Sequence, residues 1–266
     1  MRLSVDMIFP DSYGISIHYN YWLQSLIYHM MDGEMADQVH ALGFGDKGRR
    51  FRLFTFSRLM GRYELSHDKK QIHFPGGAKW IISSPIPDIL ASIAGGLLKR
   101  NTIPIGTSHV EITGIQTSYP RVKRSKILVR TLSPVVAYST MFRGDNSKYT
   151  LYFQPGEPEF KRIVTENLIK KNQAIQPWIK LTTKKHLTIP GGDGLREQEL
   201  APNQDLLELR VRRNPRLHII EYKGGVIKGY SGDMELHGSP SLLQVAVDAG
   251  LGSKNSQGFG CLEVIR

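Results

Sequence analysis

The stretch WIISSPIPDILASIAGGLL, residues 80–98, decides how the rest of the chain is read. Its first residues join an aromatic to two β-branched side chains, the make-up of a strand. Ile86, Ile89, Leu90, Ile93, Ala94, Leu97 and Leu98 then recur at steps of three and four, laying one apolar stripe along a helix that Ser83, Ser84 and Pro85 open. Upstream, Leu3, Val5, Met7 and Phe9 alternate with polar or smaller neighbours, which predicts a half-buried strand over 2–9. Trp22, Leu23, Leu26, Ile27, Met30 and Met31 predict a helix over 19–31 that stops before Asp32-Gly33. FRLFTFS at 51–57 reads as a strand, MGRYEL and KKQIHF as a hairpin leading into KWIISS, and residues 108–118 as a returning strand. The order is βαββαβ, the ferredoxin-like (RRM-like) arrangement, in about 120 residues.

The same order recurs after SYPRVKRSK at 118–126. KILVRTL is a strand, and Phe160, Ile163, Val164, Leu168 and Ile169 stripe a helix near 157–171. KLTTKKHLTI (180–189) and LLELRV (206–211) read as strands, and RLHIIEY with GVIKGYSGDMEL as a hairpin turning at Gly224-Gly225. Ser239-Pro240 caps a last helix through Ala249, and GCLEVIR closes the chain as a strand. The expected fold is α+β: two tandem ferredoxin-like domains, residues 1–120 and 121–266.

Composition narrows the class. Hydrophobic residues are 40% and charged residues 22% of 266, the balance of a globular protein rather than a disordered one. No run of about 18 apolar residues suggests a membrane span, and MRLSVDMIFPDS lacks the apolar core of a signal peptide. Cys261 is the only cysteine, so an internal disulfide and a cysteine-based zinc site are both out of reach, and a reducing cytoplasmic setting is expected.

Lys and Arg number 35 against 24 Asp and Glu, a formal charge of +11. Residues 1–120 hold 12 basic and 10 acidic side chains, whereas 121–266 hold 23 and 14, so the excess sits in the second part. Such a surface suits a phosphate-rich polymer. Lys123, Arg124, Lys126 and Arg130 flank its first strand, and Arg210, Arg212, Arg213 and Arg216 precede the hairpin that carries Lys223 and Lys228. Cations alternating along strands are as often the solvated face of a sheet.

The densest motif is AGLGSKNSQGFGCLEV at 249–264, where four glycines space Ser253, Lys254, Asn255 and Gln257. Glycine lets a backbone approach a phosphate closely. The loop follows a helix and enters a strand, the reverse of a dinucleotide-binding fingerprint, and no GxxxxGK[ST] occurs. Gly43-Phe44-Gly45-Asp46-Lys47-Gly48 matches GxGxxG by letter but precedes a strand. Among nine histidines, His67-Asp68 lacks a second histidine cluster and His109-Val110-Glu111 lacks a PCxxC partner, so neither predicts a metal site. His40 has better company, with Lys47, Arg49, Arg50 and Arg52 after it, and cations beside an imidazole suit a scissile phosphate.

NYWLQSLIYHM (20–30), VHALGFGDKGRRFRLFTFS (39–57) and GLGSKNSQGFGCLEV (250–264) together resemble the CRISPR-associated, repeat-specific endoribonucleases that process precursor CRISPR RNA. The resemblance implies metal-independent cleavage with no cofactor, leaving a 2′,3′-cyclic phosphate and a 5′-hydroxyl. It matches the catalytic set to Tyr28, His40 and Arg52, with arginine where the family's best-known site has lysine, and with Lys47 as a rival for that role. It casts Gly252, Ser253, Lys254, Asn255 and Gly258 as holders of the RNA backbone, beside Lys126, Arg130, Arg210, Arg212, Arg216, Lys223 and Lys228. CRISPR repeat RNA is the implied partner. The alternative is a non-catalytic RNA-binding subunit of a CRISPR effector complex, and pairing with a second copy is left open.

Overall fold

The computed structural model describes residues 1–10, 14–45, 50–186, 207–212 and 215–265. It is a mixed α/β structure built on antiparallel sheets. In the first part the chain runs β1 (Arg2–Ile8), β2 (Ile15–Ser16), α1 (Asn20–Met30), α2 (Gly33–Asp37), β3 (Thr55–Phe56), β4 (Glu64–Leu65), β5 (Gln71–His73), β6 (Ala78–Ser83), α3 (Pro87–Leu98), β7 (Thr102–Ile105) and β8 (Ser108–Ser118). Its sheet has the order β3-β6-β1-β8-β7, and β4 and β5 pair as the expected hairpin. Leu3, Val5 and Met7 of β1 point into the core beneath α1 and α3, as the alternation predicts.

Two details of α3 differ from the sequence reading. Pro87, not Pro85, takes the first helical turn, and Ser84 Oγ accepts the Ile86 N–H at 3.0 Å just outside it. Leu98 is 74% exposed, because one helical step of about 100° beyond Leu97 carries it off the face that buries Ile89, Leu90, Ile93 and Leu97. Where α1 and α3 cross, a Cβ on Gly96 would meet the Met30 carbonyl oxygen at 2.0 Å. The glycine sets how closely the two helices approach.

The second part runs β9 (Lys126–Thr131), β10 (Ala137–Phe142), β11 (Lys148–Phe153), α4 (Pro158–His186), β12 (Glu208–Val211), β13 (Arg216–Tyr222), β14 (Gly225–Ser231), β15 (Asp233–His237), α5 (Pro240–Ala249) and β16 (Leu262–Val264). Its sheet has the order β12-β15-β9-β16, and β10–β11 and β13–β14 stand off as two-stranded ribbons. The strand expected over 180–189 is helix as far as His186, because α4 runs on through Pro177; residues 187–189 lie outside the described set. Once a helix has nucleated, adding a residue costs little, so an extension can override weak strand preference. The ribbon at 137–153 had no counterpart in the sequence reading, and GVIKGYSGDMEL splits at Gly232 into β14 and β15. The β13–β14 hairpin turns at Lys223-Gly224, one residue before the expected Gly224-Gly225, because Gly225 already pairs with Tyr222 and the two left-handed residues are Lys223 (φ 50) and Gly224 (φ 75).

One hydrophobic core runs through both parts and includes Phe54, Phe160, Leu242 and Leu251. Polar contacts sew the seam. Thr55 Oγ1 donates to the Phe259 carbonyl at 2.9 Å, and Ser133 Oγ donates to that of Phe56 at 2.9 Å. No described helix is long and apolar enough to cross a membrane.

Candidate active site

Helix α1 carries an apolar stripe toward the core, and its other face bears Asn20, Gln24 and Tyr28, four residues apart. Asn20, 1% exposed, donates from Nδ2 to the carbonyls of Gln257 (2.9 Å) and Gly258 (3.1 Å), and its Oδ1 accepts from Arg58. Gln24 donates to the Ser256 carbonyl at 2.7 Å and accepts the hydroxyl of Tyr222. Two of the three polar residues therefore clamp the glycine-rich loop, and the third, Tyr28, faces His40.

After α1 the chain turns through α2, whose first turn Asp32 caps by accepting the Met35 N–H at 2.8 Å. It then widens into a single π-helical turn, Gln38–Leu42, anchored by fully buried Val39. His40 projects from that turn, exposed. Gly43 ends it with φ +59. Phe44 and Phe51 then exchange backbone hydrogen bonds, both 2.7 Å, closing the base of the intervening loop. That bridge returns the chain so that an Arg52 guanidinium nitrogen donates to the His40 carbonyl at 3.3 Å.

The Tyr28 and His40 ring centroids are 5.2 Å apart at 84°, and Tyr28 meets Phe54 at 5.9 Å and 78°. Burial pushes the Tyr28 phenol above its usual range, opposed by the neighbouring Arg52 guanidinium, so it stays a neutral donor. Leu53, next to Arg52 and buried, holds a left-handed φ of 51°, local backbone strain of the kind that gathers at working sites. The structure thus gathers Tyr28, His40 and Arg52; Lys47 and Arg213 lie outside the described residues.

The predicted RNA-binding residues fall into three groups. In the glycine-rich loop Gly252, Ser253, Asn255 and Gly258 are buried. Asn255 Nδ2 donates to the Leu251 (3.1 Å) and Phe259 (2.9 Å) carbonyls, and the Ser253 N–H donates to that of Val136 (2.8 Å). At Gly258, with φ +85, a Cβ would meet the Phe56 ring at 2.3 Å and Asn20 Nδ2 at 2.7 Å. The loop is wedged against β3 and α1. Lys254, half-buried, lays its ammonium 4.8 Å from the Tyr138 ring centroid. Lys171 reaches from α4 to the Gly250 and Gly252 carbonyls at 2.7 and 2.9 Å, fixing the loop from behind.

On the second sheet the cations are paired. Lys126 lies 3.2 Å from Glu235, Arg130 binds Asp233 through Nε at 3.0 Å, Arg212 pairs with Glu235, and Arg210 is 3.6 Å from Glu208. His237, Arg212 and Lys126 hold the Glu235 carboxyl down to about 2. The third group, Arg216, Lys223 and Lys228, is exposed on the β13–β14 ribbon, with Lys223 5.0 Å from the Tyr21 ring centroid.

Between the Arg50–Phe54 segment and the glycine-rich loop lies a cavity of about 230 Å³, whose walls include Arg52, Tyr138, Asn167, Lys171 and Gln257. Of these only Arg52, and Gln257 as part of the loop, were marked from sequence. The four-residue spacing of Asn20, Gln24 and Tyr28 was a signal that could have exposed the polar face of α1. Tyr138 and Asn167 carried none. Among the described residues no group of three or more His, Cys, Asp and Glu side chains is placed to hold a metal ion.

Comparison with known proteins places the chain. Residues 14–116 match the N-terminal part of the CRISPR-associated protein Cas6 and residues 117–264 match its C-terminal part. The chain is 24% identical to the CRISPR-associated endoribonuclease Cas6 of Pyrococcus furiosus, over 99% of this chain and 90% of that protein. It is 22% identical to CRISPR-associated endoribonuclease Cas6 1 of Methanocaldococcus jannaschii, over 98% and 91%. Among solved structures, a Cas6-related protein of P. furiosus superposes with a TM-score of 0.76 at 20% identity, covering 100% of this chain and 98% of that one. A RAMP protein described as binding different RNA substrates gives 0.78 at 19%, covering both chains completely. With both parts matched along nearly all of its length, the chain belongs to the Cas6 family.

Proposed function

We propose that this Cas6-family protein is a metal-independent endoribonuclease that cuts CRISPR repeat RNA in precursor transcripts, yielding mature guide RNAs. The observation that carries the reading is the convergence of Tyr28, His40 and Arg52 on one exposed edge. Its nucleophile comes with the substrate. The ribose 2′-oxygen attacks the adjacent phosphorus, the P–O5′ bond breaks, and 2′,3′-cyclic phosphate and 5′-hydroxyl ends result. The protein need only move two protons and steady charge. His40 takes the 2′-OH proton or delivers one to the departing O5′, worth roughly 10²–10⁴ in rate. Arg52 stabilises charge on the phosphoryl oxygens without giving up a proton, since guanidinium stays charged. Tyr28 orients the sugar or the leaving oxygen, and Lys47 is a second cation for the phosphate.

The chain is two tandem ferredoxin-like domains, 1–120 and 121–266. Supporting this, β3-β6-β1-β8 and β12-β15-β9-β16 order their strands alike, second-third-first-fourth. Lys223, Lys228, Arg216 and Lys254 hold the RNA backbone. Lys126, Arg130, Arg210 and Arg212 join them only by exchanging a carboxylate for a phosphate. The protein works in the cytoplasm. Incubating it with its cognate repeat in EDTA tests the reading: cleavage at one position is expected. A second reading, RNA binding without cleavage, is favoured by one observation, that the cation bonded to the His40 carbonyl is an arginine. Tight repeat binding with no product under any condition would establish it.

A further inference from the structure

We propose that the cavity between the Arg50–Phe54 segment and the glycine-rich loop receives one unstacked nucleobase beside the scissile phosphate, and that guanine fits it best. The inference rests on the chain being an RNA-cutting enzyme. Arg52 is shared between this cavity and the His40 edge, so a phosphate held there brings the base of the same nucleotide to the cavity mouth.

The walls select the ligand. Asn167 is 2% exposed and its Oδ1 has no hydrogen-bond partner among the described residues; Gln257 Oε1 is buried in the same state. Both residues line the cavity. Their neighbours are satisfied, Asn255 and Lys171 each donating to two backbone carbonyls. A buried acceptor without a donor is costly, and two on one cavity mark where a donor-bearing ligand completes the structure. Terminal amide torsions are soft, so either oxygen can turn toward the space. The Tyr138 ring, steadied by Lys254 and by Tyr152 at 6.0 Å, forms an aromatic wall, the surface on which unpaired RNA bases are received. Guanine carries N1–H and N2–H₂ side by side, two donors for two acceptors. Adenine and cytosine offer one amino group each, and uracil one ring N–H.

The probes are the 2′,3′-cyclic monophosphates of guanosine, adenosine, cytidine, uridine and inosine, titrated calorimetrically into the full chain. Guanosine is expected to bind about tenfold more tightly than each of the others, inosine included because it lacks the N2 amino group. The preference should vanish in Asn167→Leu and shrink in Gln257→Leu. Equal binding of all five, no binding of any, or a guanosine preference unchanged in both variants would overturn the proposal. The guanosine–inosine comparison in the unaltered protein decides the matter even if Asn167→Leu does not fold. Repeat cleavage assayed alongside separates the two readings. Cleavage with no base preference removes the pocket alone, and base preference with no cleavage removes the enzyme alone.

Discussion

His40 stands edge-on to Tyr28, ring centroids 5.2 Å apart at 84°, although eleven residues and two kinds of helical turn separate them. The imidazole is exposed and the phenol half-buried, so one ring is free to meet substrate while the other braces it.

Replacing His40 by Ala should lower the single-turnover cleavage rate by roughly 10²–10⁴. The fold should be unaffected, within about 0.5 kcal/mol, because the side chain is exposed. Paired cleavage and urea-denaturation measurements check this; a rate within twofold of the unaltered protein would remove His40 from the chemistry.

Arg52→Ala should cost about 10²–10³ in cleavage, the scale for losing one preorganised donor to developing charge. Arg52→Lys should recover part of it, because the charge remains but the fork is lost. Equal rates for Ala and Lys would show that charge at this position does not matter.

Gly258→Ala should destabilise the protein by about 2–4 kcal/mol, since alanine resists φ +85 and its Cβ would collide with Phe56 and Asn20. Thermal unfolding measures it. An unchanged midpoint would mean the loop can lift off β3 without loss.

Burial, with Arg216 and Arg58 adding to it, pulls the His218 imidazole down to about 4. Between pH about 6.5 and about 4 the unfolded chain binds a proton that the folded one refuses, so stability is full above that window and declines as pH falls through it. Urea midpoints at pH 7 and 4.5 should differ more for the unaltered protein than for His218→Gln.

How much of this was readable beforehand depended on whether the signal is periodic. The stripes of α1, α3 and the first turns of α4 repeat with the helix, and the β13–β14 hairpin is announced by its glycines although it turns one residue early, at Lys223-Gly224, so those elements could be read directly. The π turn at Gln38–Leu42 and the Phe44–Phe51 bridge have no period. They exist because two distant strips of backbone meet, and they are what bring Arg52 back to His40. Resemblance could nominate those residues without explaining their meeting. The glycine-rich loop reads as a phosphate cradle from its glycines and its resemblance, and neither signal announces that Gly258 packs closely against Phe56 and Asn20. Composition does not distinguish backbone that must approach a ligand from backbone that must approach its own core. Asn167 and Tyr138 gave no pattern at all, since each is placed by tertiary packing.

The most direct measurement uses chelator-treated protein and two repeat RNAs, identical except that one lacks the single 2′-hydroxyl on the 5′ side of the cut. Cleavage of the ribose substrate to a 2′,3′-cyclic phosphate, with none detectable at the deoxy position, is the predicted result. Cutting of both at the same rate would contradict the account.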